Sequence, residues 1–148
     1  MSLYKRGSNM AKQTLFEGLV YDEQGEPVTT AVIGNEAYYV VNDEGFRRHI
    51  DSEMVDRQVL SVFLEQLENN RDLAVEQALS MVGQDDLFTK AAIDASLRNI
   101  DMDQIIAQGI PEQARSMMGM LGFRIVINLH GEVVELEQPT APDEDFGD

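Results

Sequence analysis

The sequence predicts an α+β fold: an N-terminal antiparallel β-meander of three or four short strands, a central run of four or five short helices, and a C-terminal β-hairpin. Three observations carry this. β-Branched and aromatic residues concentrate between Thr14 and Ile50 in short runs separated by turn residues. At Asp51–Ser52 the apolar spacing changes to the helical period, and after Gly122 it returns to that of strands. Strands and helices come in blocks and do not alternate, which argues against a doubly wound parallel sheet.

The elements follow in order. "TLFEGLVY" leads into "DEQGEP", where Gly25 can take a positive φ and Pro27 fixes the re-entry. "VTTAVIG", "AYYVV" and "FRRHI" supply the next strands, separated by "NEA" and "NDEG". Asp51 or Ser52 can cap a helix, and Glu53 places an acid in its first turn, where the helix dipole favours it. Val55, Val59, Val62, Phe63 and Leu67 then recur at helical spacing up to Asn69-Asn70. A second helix runs through Val75, Ala78, Leu79 and Val82 to a capping Gly83. A third follows Asp85-Asp86 through Phe88, Ala91, Ala92 and Ala95. Asp101 can cap a short helix that ends at Gly109. Pro111 opens the last one at its favoured first position, with Ala114, Met117, Met118 and Leu121 along one face. "FRIVINL" and "EVVELEQ" then flank His130-Gly131, the two-residue turn of a hairpin.

The stretch "GLVYDEQGEPVTTAVI" with "NDEGF" resembles the opening of carboxypeptidase-regulatory-like and transthyretin-like β-sandwich domains. Gly18, Asp22, Gly25, Pro27, Val28, Ala31 and Gly45 carry the likeness, over roughly 30 residues of 148. The resemblance implies hairpin geometry there. Members of those families run to about seven strands, whereas here helical spacing begins after four at most, so no function is carried across.

A chain of 148 residues is long enough for one domain with a hydrophobic core and short for two. "MSLYKRGSN" (1–9) reads as an expression leader before a start at Met10, residues 10–138 as a single domain, and the acidic tail 139–148 as disordered. The formal charge is −16; without Lys5 and Arg6 of the leader, nine basic residues face 27 acids, giving −18. This balance opposes direct phosphate-backbone binding and attachment to anionic membranes, and suits a basic partner or simple mutual repulsion. The chain has no cysteine, hence no disulfide, thiolate nucleophile or cysteine-based zinc site. No signal peptide or spanning apolar run is seen, so the expected location is cytoplasmic.

Motif chemistry is sparse. Arg47 and His49 share one face of a strand and Arg48 the other, so the pair can form a carboxylate clamp with His49 as acid or base. The alternative is an edge strand whose cations pair with nearby acids. His130 reads as a turn residue. No G-x-S-x-G elbow, Walker loop or G-x-G-x-x-G is present. EF-hand register puts Val40 or Val20 at the first ligand position, so no metal or cofactor is expected. Glu65, Glu68, Asp72 and Glu76 can form an acidic surface. Met117, Met118, Met120 and Leu121 in "SMMGMLG" can form an adaptable contact surface or pack against the sheet. The leading expectation is a non-catalytic domain acting through a protein partner or self-association, as a homodimer built on the methionine-rich segment. No direct binding to nucleic acid and no membrane association are expected. The alternatives are a ligand-binding protein or enzyme using Arg47, His49 and carboxylates, and an acidic mimic that occupies a basic partner.

Overall fold

A computed structural model describes residues 13–83 and 86–138 of the chain. The leader, the tail and the capping role of Asp85 lie outside those residues. The fold is α+β, as the patterning predicts, with two three-stranded sheets and five helices among the described residues. The chain falls into two compact units, Met1–Val59 with Asp103–Asp148, and Leu60–Met102.

In the first unit, β1 (Val20–Tyr21) is followed by a meander of β2 (Thr29–Ile33), β3 (Glu36–Asp43) and β4 (Phe46–Asp51). The meander is antiparallel throughout, with Thr29 opposite Val40 and Val40 opposite His49. Its second turn places Glu44 at φ 53 and Gly45 at φ 94, the left-handed pair that a two-residue hairpin demands. Asn42 Oδ1 accepts the Gly45 N–H at 2.7 Å and holds that turn.

The first strand departs from expectation. It is not the opening strand of the meander: β1 pairs in parallel with β5 (Arg124–Ile127), which pairs antiparallel with β6 (Val133–Glu137). The C-terminal hairpin therefore takes up β1 and leaves the meander as a separate sheet. The hairpin turn also differs. It spans residues 128–132, and Asn128 Oδ1 accepts the N–H groups of His130 and Glu132, each at 2.9 Å. Gly131 supplies the positive φ there, while His130 does not. An asparagine that bonds its own turn displaces the two-residue geometry.

Helix α1 (Ser52–Asn69) begins where the period changes, and Asp51 Oδ1 accepts the Glu53 N–H at 3.1 Å. Its stripe of Ser52, Val55, Asp56 and Val59 is fully buried. Helices α4 (Met102–Gln108) and α5 (Glu112–Met120) follow later in the chain, and Pro111 caps α5 from outside its first turn. The first unit's core joins Leu15, Phe16, Tyr39, Val41, Ile125 and Ile127, with Phe16 and Phe123 tilted against each other at 6.0 Å. Each such side chain contributes about 1.5–3 kcal/mol by leaving water.

In the second unit, α2 (Arg71–Val82) ends at Gly83, whose N–H bonds Leu79 O at 3.0 Å. Helix α3 (Leu87–Arg98) is capped by Asp86, which accepts the Thr89 N–H at 2.6 Å. This unit buries Leu60, Val75 and Leu79. Val82, on the predicted inner face of α2, is instead exposed.

Candidate functional site

Asp56 is a fully buried carboxyl that the sequence reading missed. Its Oδ1 accepts the Tyr39 hydroxyl at 2.6 Å, and its Oδ2 accepts the Leu15 N–H at 3.1 Å. Tyr39 Oη in turn accepts the Phe16 N–H at 3.1 Å. Burial lifts the Asp56 carboxyl to about 7, against the opposing pull of these hydrogen bonds. With no exposed surface, Asp56 meets no substrate; it pins the segment around Leu15 and Phe16 to α1 and β3. A signal for it exists in the sequence, because Ser52 and Asp56 interrupt an otherwise apolar helical stripe one turn apart.

Arg47 and His49 lie exposed on β4, on the face that also carries Tyr38. The His49 ring stands edge-on to Tyr38 at 5.9 Å, and the Tyr38 hydroxyl donates to Glu36 at 2.7 Å. That hydrogen bond, with some desolvation and the nearby Glu36 charge, holds the Tyr38 phenol above its ordinary range. The ion pair nearby belongs to Arg48, on the other face, with Asp43 at 2.8 Å.

Carboxylates also gather at a place that no sequence motif marks. Asp22, Glu23, Glu26, Asp43 and Glu44 line a cleft of about 520 Å³. Asp22 Oδ1 there accepts the N–H groups of Gln24 and Glu26, each at 2.9 Å, so its role is to close a turn. Among the described residues, no group of three or more histidine and acidic side chains is placed to hold a metal ion.

Glu65, Glu68, Asp72 and Glu76 are all exposed. The surface they form is partly balanced, since Glu76 pairs with Lys90 at 3.5 Å, and Glu68 shares a small cleft with Arg71 and Arg98.

The methionine-rich segment has the most distinctive placement. Helix α5 buries no residue at all. Met117 is 62% exposed, Met120 86% and Leu121 60%, while Met118 is half-buried. Periodicity aligned Met117, Met118 and Leu121 on one apolar face; the structure turns most of that face outward. Gly119 explains the orientation. A Cβ at this position would stand 3.2 Å from Leu19 Cδ2, so the helix makes its close approach through a glycine. Beside it, Glu17, Leu19, Tyr21, Glu112, Arg115, Ser116 and Met120 line a cleft of about 640 Å³. Arg115 donates to Ile110 O at 2.7 Å.

No protein-family model matches this chain, nor does any curated protein or solved structure. The comparisons therefore supply no site, and the exposed apolar helical faces are what the geometry offers. Among the described residues no helix is long and apolar enough to cross a membrane.

Proposed function

We propose that this chain is a non-catalytic assembly domain whose α5 face binds a basic, amphipathic segment of another protein. One observation carries the reading: α5 presents Met117, Met120 and Leu121 to solvent and buries none of its residues. Isolated exposed apolar residues are ordinary, but three large ones on a single helix end mark a contact surface. Methionine suits it, because an unbranched thioether repacks against varied partners. Charge selects the occupant. Glu17 and Glu112 outnumber Arg115 in the adjoining cleft, and the chain as a whole carries −16. A partner with apolar side chains flanked by lysine or arginine gains from both features.

The test is affinity capture with wild type and Met120→Glu side by side, at low salt and at about 0.5 M salt, where exposed charge contacts are screened. The expected result is a protein retained by wild type and lost by the variant. A synthetic peptide of its basic amphipathic segment should compete for binding, and high salt should weaken the hold. Retention that Met120→Glu leaves unchanged, or a retained partner without such a segment, would overturn the proposal.

A further inference from the structure

We propose that α3 is a self-association helix, packing antiparallel against α3 of a second copy of this chain about a two-fold axis at Ala92. The proposal deepens the assembly reading above but rests on a different face, in the other compact unit.

Helix α3 buries none of its residues within the chain. Leu87 is 82% exposed and Phe88 90%, and exposure continues through Ala91, Ala92, Ala95 and Ser96. These positions recur at three- and four-residue spacing, so they form one continuous face. The strip of it through Phe88, Ala92 and Ser96, which the two-fold axis brings together, carries no charge. The charged residues of the helix, Lys90, Asp94 and Arg98, recur at four-residue spacing along another stripe, where Lys90 pairs with Glu76 and Asp94 with Arg98. A solvent-facing helix ordinarily shows the reverse, with charge on its outer face.

Beside the exposed face runs a groove of about 520 Å³, lined by Val82, Ala92, Ile93, Ser96 and Leu97 with Phe88 at its rim. Two arguments assign a second copy as its occupant. The first is electrostatic. Two copies each carrying −16 repel, and stable contact between them needs a surface where acid does not meet acid. The α3 face meets that condition. The second is self-complementarity. Antiparallel packing about Ala92 sets each Phe88 opposite Ser96 of the other copy, a large side chain over a small one beside the groove. Alanine at positions 91, 92 and 95 lets the two helix backbones come close.

The chain has no cysteine, so one introduced thiol is unique. The experiment combines molar mass by light scattering, up to about 0.5 mM protein to reach weak dimers, with oxidative cross-linking of Ala92→Cys. Ser80→Cys, exposed on α2, is the control. The expected wild-type mass at the top of the range is twice that of the chain. Phe88→Glu, at an exposed position where folding is not at stake, should keep the helical circular dichroism. It should weaken dimerisation by on the order of 1,000-fold, roughly 30-fold for each of the two anchoring aromatics that the symmetry removes. Ala92→Cys should cross-link faster than Ser80→Cys, because symmetry places the two thiols face to face. A monomer throughout the range, a dimer indifferent to Phe88→Glu, or equal cross-linking of the two cysteine variants would overturn the assignment. A dimer lost with Met120→Glu but kept with Phe88→Glu would also overturn it and move self-association to α5. The competition experiment on the α5 partner is unaffected by any of these results, so the two readings fail separately.

Discussion

At the scale of single residues, Asp56 is where buried chemistry and stability meet. Its carboxyl is held near pH 7 in the folded chain against an ordinary 3.8. Between those values the folded state binds a proton that the unfolded state has released. Its contribution is therefore fully present below pH 3.8 and is lost as pH rises through about 7. A shift of this size corresponds to an effect on the order of 4 kcal/mol. Asp56→Asn keeps the shape and removes the titration. Urea midpoints measured from pH 4 to 8 should fall with pH more steeply in wild type than in Asp56→Asn, and parallel curves would refute this account. Asp56 was legible only in hindsight. Helical periodicity found Val55 and Val59 correctly, but an acid between them reads as a solvated residue until Tyr39 and the Leu15 N–H arrive from distant parts of the chain to bond it.

Among the elements, local signals were read well and non-local ones were not. The turn "NDEG", the helix start at Ser52 and the stop at Gly83 depend on neighbours in sequence, and each stands where its residues put it. The partner of β1 depends on β5, about a hundred residues later, and nothing in "LVY" announces a parallel neighbour. The outward turn of Met117 and Leu121 was likewise hidden, because an apolar period says only that a face exists and not which way it points. His49 and Arg47 do share a face, as alternation requires, and both are exposed there. The β3–β4 turn offers a direct check on local backbone cost. Glu44 is the only non-glycine with positive φ among the described residues. Glu44→Asn places there a residue that tolerates the left-handed region better, and should raise stability by about 0.5–1 kcal/mol. A lower thermal midpoint for this variant would show that the Glu44 side chain, and not its backbone, governs the turn.

For the molecule as a whole, the two compact units differ in how much core each owns. The first draws on both sheets and on fully buried Phe16, Tyr39, Ile125 and Ile127; the second buries Leu60, Val75 and Leu79. Opening free energy follows buried apolar contact, so amide protection should divide accordingly. Hydrogen exchange on dilute protein should show α2 and α3 exchanging well before β3 and β5. Equal protection would mean that the two units open as one. The same contrast bears on association: a unit with little internal core and an exposed helix bearing an uncharged strip gains stability from any copy that covers it.

The parallel pairing of Val20 with Ile125 also orders events in time. As the chain leaves the ribosome, the meander and the start of α1 involve only neighbours in sequence and can form early. The strand that precedes them has no strand to pair with in its own sheet until the penultimate strand has been synthesised. Leu15, Phe16 and Val20, all buried in the finished protein, therefore spend most of translation without their final cover. A message cut short before codon 124 would release a chain with a formed meander and a greasy, unclaimed beginning, a substrate for chaperones and proteases.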